Sequence, residues 1–252
     1  MARAAGSTPG PVSRRAATCC LVLLLVPAGL VAAFWYDVWQ TGRENDRREQ
    51  RALASIAEQA QRAARDTARA MAAHRAAGAD ALTDVIWRHT EAPVITYDAA
   101  RRTFTATASR SAVYEEEPLL LGAGPVKLDR CFRFTFTRRP GAPWSARVTA
   151  RADEACAPSD RIRNEVVLAR IGLENLSSDA DRAAVRRALE PAGRPGLLDV
   201  RSTARTRRTI TATVLVHAAP PPAATWQCYR LTRDLGDAGT GRSVTAVPVA
   251  TC

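Results

Sequence analysis

Hydrophobic and polar positions alternate in two widely separated stretches. Phe132, Phe134 and Phe136 alternate with Arg133 and Thr135; Ile210, Ala212, Val214 and Val216 alternate with Thr209, Thr211 and Thr213. Side chains on a strand point to opposite faces in turn, so this pattern predicts antiparallel strands with one buried face. Other stretches space their apolar residues by three and four and predict helices. Residues 80–90 carry Leu82, Val85, Ile86 and His89, and residues 179–189 carry Ala180, Ala183, Ala184 and Val185, with Ser178 as a plausible N-cap. A further helical stretch runs over residues 159–173.

These segments belong to a repeat. Arg102-Thr103-Phe104-Thr105-Ala106-Thr107 returns as Arg208-Thr209-Ile210-Thr211-Ala212-Thr213. Cys131-Phe132-Arg133-Phe134-Thr135 returns as Cys228-Tyr229-Arg230-Leu231-Thr232, Val148-Thr149-Ala150 as Val244-Thr245-Ala246, and Cys156 as Cys252. The offsets are 106, 97, 96 and 96, so the first copy is nine residues longer between its first two blocks. Repeated blocks in fixed order imply two copies of one module. The extra length holds Glu115-Glu116-Glu117-Pro118 and Gly122-Ala123-Gly124, where the second copy has Pro220-Pro221-Pro222. Both read as exposed loops, and the acidic triplet as a solvated loop rather than a site for a cation or a basic partner.

Four cysteines lie in the repeated region, and four allow three connectivities. A module copied intact carries its own bond, which selects Cys131–Cys156 and Cys228–Cys252. The midpoints fall in Pro140-Gly141-Ala142-Pro143 and in 236–241, both rich in turn residues. A strand, a turn and a returning strand would set each cysteine pair face to face. Each closed loop is worth roughly 3.5 kcal/mol in the chain-entropy picture.

Upstream, Ala16 to Tyr36 contains no charge, includes Leu21-Val22-Leu23-Leu24-Leu25-Val26, and closes on Phe34-Trp35-Tyr36. About 20 apolar residues suffice to cross a bilayer as a helix, and aromatic rings favour its interface. Arg3, Arg14 and Arg15 precede the run, which places the N-terminus in the cytoplasm and the bulk outside. Val31-Ala32-Ala33 fits a signal-peptide cleavage site, but the run is longer than a typical signal and ends in bulky rings, which favours an uncleaved anchor. Ser13-Arg14-Arg15 is a poor twin-arginine match, and Cys19 and Cys20 read as ordinary apolar residues of the span. Arg43 to Gly78 follows, without proline or internal glycine, and predicts a helical stalk roughly 50 Å long. Leu53, Ile56, Ala60, Ala63, Thr67, Ala70 and His74 form a heptad-like stripe on it. Being mostly alanine, the stripe would pair weakly with a second stalk. Packing against the downstream modules or a partner helix is the stronger expectation.

The fold class expected is therefore α+β: a transmembrane helix, a helical stalk and two tandem helix-plus-antiparallel-sheet modules, each with one disulfide. The boundaries are 1–15 for a basic tail, 16–36 for the span, 37–78 for the stalk, 79–157 for the first module, and 158–252 for a linker helix and the second module.

Charge adds one constraint. The net charge is +11, and Lys127 is the sole lysine. An arginine and alanine bias of this kind can be purely compositional. Its functional meaning would be an anionic partner such as lipid headgroups or acidic wall polymer, with nucleic acid ranked last because no basic run is interleaved with aromatics. His74, His89 and His217 stand in no metal-ligand spacing, the serines form no nucleophile motif, and the glycines of 236–241 lack a phosphate-loop lysine. No catalytic residue, cofactor site or metal site is expected. The expectation is a non-enzymatic, single-pass, extracytoplasmic scaffold or interaction subunit at the cell envelope, partnered by the membrane and by an envelope protein or a second stalk. The alternatives are a module that binds or senses a small ligand between the two copies, and a cleaved secreted protein.

Overall fold

A computed structural model describes residues 11–74, 78–118, 124–190, 196–220, 225–235 and 244–252, with side chains from residue 25 onward. The turn expected at 236–241, Pro221, Pro222 and Ala123, and the side chains of Cys19 and Cys20 lie outside those residues. Four helices are described: α1 (Pro11–Ala73), α2 (Ala79–Thr90), α3 (Ala157–Glu174) and α4 (Arg182–Leu189). Strands β1 (Val94–Asp98), β2 (Thr103–Glu115), β3 (Pro125–Arg138) and β4 (Trp144–Arg151) form one antiparallel sheet in that order. Strands β5 (Leu198–Arg205), β6 (Thr209–His217), β7 (Trp226–Asp234) and β8 (Val244–Val249) form the other. The fold is α+β with two disulfides, Cys131–Cys156 and Cys228–Cys252. Among the described residues no helix is long and apolar enough to cross a membrane.

The chain divides into two compact units, Met1–Ala52 with Val113–Val126, and Leu53–Ala112 with Lys127–Cys252. The second holds both cores. In the first core Phe104, Phe132, Phe134 and Phe136 pack against Ile56, Ala60, Ala64 and Met71 of α1 and against Leu82, Val85 and Ile86 of α2. In the second, Ile210, Ala212, Val214, Val216 and Leu231 pack against Ile162, Val166, Ala169 and Leu173 of α3 and against Val185 and Leu189 of α4. Each sheet thus buries one face under a long and a short helix, the usual way to hide an amphipathic sheet.

The helical covers repeat as well. Ile56, Ala60, Ala63 and Thr67 on α1 correspond to Ile162, Val166, Ala169 and Leu173 on α3 at an offset of 106, that of the first strand block. The first module's core therefore begins inside α1 rather than at residue 79, and the stripe read as a stalk seam is taken up by the chain's own sheet. His74, at the end of that stripe, is exposed.

The nine extra residues of the first copy lengthen its central hairpin. Its strands have 13 and 14 residues, against 9 and 9 for β6 and β7. Turn chemistry follows the sequence where it is described: Ala142 N–H donates to Arg139 O at 3.1 Å, and Gly141 takes φ +72° after Pro140. That positive φ at the third turn position is open to glycine and strained for other residues.

Two expectations are corrected. Helix α4 starts at Arg182 and is capped by Asp181, whose carboxylate accepts from Ala184 N–H at 2.6 Å. Ser178 is no cap; its carbonyl instead accepts from Arg205 Nη2 at 2.5 Å. The half-cystines do not face each other across a hairpin either. Cys131 pairs in register with Arg151, and Cys156 follows in a short 3₁₀ turn, Asp153–Cys156. Cys228 pairs with Val249, three residues before Cys252.

Some of the arginine excess is structural. Arg110 Nη2 donates to the carbonyls of His89 and Thr90 at the end of α2, at 3.3 and 2.8 Å. Buried Arg233 does the same for Leu173 and Leu176 at the end of α3, at 3.0 and 2.6 Å. Terminal helix carbonyls have no partner within the helix, and cations favour that end.

The smaller unit has its own clasp. Asn45 Nδ2 donates to Glu117 O at 3.1 Å, and Glu117 N–H donates to Asn45 Oδ1 at 2.9 Å, as one strand residue pairs with another. Arg48 is ion-paired with the Glu117 carboxylate and donates to Glu115 O. The acidic triplet expected to be a solvated loop is thus partly docked, with Glu115 ending β2.

Candidate functional site

Strand β1 joins the two modules because its two faces go to different cores. Ile95 enters the first and Val94 the second. Polar groups lock the seam. Ile95 N–H donates to Gln227 Oε1 at 2.8 Å, and Gln227 Nε2 donates to the carbonyls of Cys228 and Val249 at 3.1 and 2.8 Å. The Tyr229 hydroxyl donates to Pro93 O at 2.6 Å. Both side chains are buried, and such groups are tolerated when their hydrogen bonds are made. Burial pushes the Tyr229 phenol well above its ordinary value, so it remains a donor at neutral pH. Ala250 N–H donates to Asp80 Oδ1 at 2.8 Å, and the Ser109 hydroxyl to Asp160 Oδ2 at 3.1 Å.

Beside this seam opens a cleft of about 530 Å³, within the range of small-molecule pockets. Its floor is the outer face of the first sheet. Phe104 and Ala106 point into the core, so Thr105 and Thr107 point out, paired in register with Thr96 and Val94. Arg133, between the buried Phe132 and Phe134, lines the same cleft. The opposite wall includes Ser159 and Trp226. Trp226 is 50% exposed. Tyr97 borders the cleft from β1, but it pairs in register with Phe104 and its ring stacks 4.3 Å from that ring, on the core side of the sheet. Threonine hydroxyls, one guanidinium and one indole ring line this space, and no described carboxylate does.

The repeat isolates what is special here. Arg133 and Arg230 occupy the same position in the two copies. Arg230 Nη2 lies 3.9 Å from Asp80 Oδ2. Arg133 is exposed and has no acidic partner among the described residues. The arrangement can bind an anion; among the described residues it holds no nucleophile with a base beside it.

The four predicted cysteines all lie in the two disulfides. His74 and His89 are exposed. His217 is buried, its Nε2 3.6 Å from Asp199 Oδ2 and neither ring nitrogen hydrogen-bonded. Among the described residues no group of three His, Cys, Asp or Glu side chains could hold a metal ion. Reading the sequence alone passed over Gln227, Tyr229 and Arg133. The alternation that marked the strands did carry a signal for Arg133, since it set an arginine among threonines on an outer face. No family model, curated protein or solved structure matches the chain.

Proposed function

We propose that this protein is a membrane-anchored, extracytoplasmic scaffold or interaction subunit of a cell envelope, without enzymatic activity, its N-terminus in the cytoplasm. One observation carries the reading. Leu25, Val26, Leu30, Val31, Phe34, Trp35, Tyr36 and Trp39 of α1 are each at least half exposed. They include the adjacent pairs 25–26 and 30–31 and the triplet 34–36, so they fall on every side of the helix. A helix that is apolar all round needs an apolar medium, and lipid supplies it. The uncharged sequence continues back to Ala16, giving the length a bilayer requires. Pro27 within the helix is compatible with a membrane segment. Trp39, with the Arg43 guanidinium 4.4 Å from its ring centroid, suits the headgroup boundary. Two disulfides fit an oxidising compartment outside the cytoplasm, and the net positive charge favours anionic headgroups. Since Ile56, Ala60, Ala64 and Met71 are buried in the first core, partners meet other surfaces than the stalk stripe.

Alkaline carbonate extraction of membranes tests the anchor. The full chain is expected in the pellet, and a variant lacking residues 16–36 in the wash. Recovery of the intact chain in the wash would overturn the reading. A second reading, a small-ligand module, is favoured by the unpaired guanidinium of Arg133 in the cleft.

A further inference from the structure

We infer that the cleft beside β1 binds a small organic anion, its charge held by Arg133 and its flat apolar body lying against Trp226. The inference rests on the ligand-binding reading of the cleft and is independent of the membrane anchor.

The comparison of the two copies carries it. The same block places an arginine on the outer face of each sheet, and the chain supplies a carboxylate to one of them. In the second copy Asp80 stands 3.9 Å from Arg230. In the first, no described carboxylate lines the cleft around Arg133, although the chain has 25 acidic residues. A guanidinium facing a concave, hydroxyl-lined space offers several donors in a fixed plane, and carboxylates and phosphates match that plane. The hydroxyls of Thr105 and Thr107 add neutral donors on the same side of the sheet, while that of Thr96 donates to Thr105 O at 3.4 Å. An inorganic ion would leave the rest of the space unexplained. At about 530 Å³ the cleft is far larger than such an ion, and the half-exposed indole of Trp226 lines it. A ring of this kind stacks on flat apolar groups. A neutral sugar would use the hydroxyls and the indole and leave Arg133 without a role; a cation would be repelled by it.

The test uses the full chain in detergent micelles and ligand-observed NMR titrations with benzoate, 2-naphthoate, indole-3-carboxylate and phenyl phosphate, each beside its neutral counterpart (the primary amides, and phenol for phenyl phosphate). At least one anion is expected to bind, its neutral counterpart roughly ten-fold more weakly, as loss of a charge-assisted contact implies. R133Q is expected to erase that difference, and W226A to weaken anion and neutral counterpart alike. Thermal unfolding of each variant checks that it folds; an unfolded R133Q is replaced by R133K, which keeps the charge but not the fork and is expected to fall between wild type and the neutral counterpart. Equal binding of the anions and their neutral counterparts would overturn the anion assignment and leave the binding reading standing. Silence from every probe on folded protein would overturn both. Anion binding unchanged in R133Q would move the site elsewhere and refute the inference.

Discussion

The two modules share a plan and differ in what was added to it. Both wrap one face of a four-stranded sheet with a long and a short helix, and both tie the third strand to the segment after the fourth with a disulfide. The register reveals how loosely the copies are held to each other. Phe134 pairs with Val148, while its counterpart Leu231 pairs with Ala246, two residues beyond the counterpart of Val148. A shift of two keeps every side chain on its own face, whereas a shift of one would turn the core outward. The copies were therefore free to drift by even steps. What differs outright is the edge of the design: a hairpin with strands of 13 and 14 residues in the first copy, and an arginine with no acid beside it among the described residues where the second has one. Shared positions make the fold, and unshared ones are where the two copies can be told apart.

The comparison breaks most easily at the bonds the modules share. Removing either disulfide, as C131S/C156S or C228S/C252S, is expected to cost about 2–5 kcal/mol, by similar amounts because the cysteines are 25 and 24 residues apart. Thermal unfolding with and without reductant reads this, and a large cost from one bond alone would deny that the modules are equivalent. Close packing of the second module's helices comes next. A Cβ at Gly172 would lie 2.7 Å from Ala188 O, so Gly172→Ala should cost about 1–3 kcal/mol in denaturant titrations.

The seam gives a pH signature. The folded-state pKa of Tyr229 is raised by burial. Its contribution is therefore whole below the unfolded value near pH 10, and it is lost as pH rises above it. Wild-type stability should fall above about pH 10, and Tyr229→Phe should flatten that fall. An unchanged slope would show that the phenol is not the titrating group. The smallest effects concern the hairpin that only the first module extends. Asn45→Ala removes both bonds to the Glu117 backbone and should cost about 1 kcal/mol, with faster hydrogen exchange at the Glu117 amide. Arg48→Gln removes an exposed ion pair and should cost less than about 1 kcal/mol.

How much was legible in the sequence follows from where each signal lives. Strand alternation around Phe134 and Val214 was readable because it is local and repeats every second residue. The disulfides were readable because duplication carried both partners together. The short helix of each copy was read, but the longer one was not recognised as part of the repeat because the match survives only as a thin stripe, where Ala60 answers Val166 and Thr67 answers Leu173, and alanine reads as helix wherever it packs. The N-cap was misplaced because Ser178, Asp179 and Asp181 all have capping side chains, and only backbone geometry chooses among them. The cleft was invisible because it brings Arg133 to Trp226, 93 positions apart, through a seam made by Gln227 and Tyr229, residue types with no spacing rule.

One pair of substitutions tests the duplicated unit most directly. Ile56 on α1 and Ile162 on α3 are both fully buried and occupy the same place in the two copies. Ile56→Ala and Ile162→Ala, measured separately by equilibrium unfolding, should each cost about 2–5 kcal/mol. If Ile162→Ala falls in that range while Ile56→Ala costs no more than about 0.5 kcal/mol, as a surface change does, α1 is only a tether and the first module is not a copy of the second.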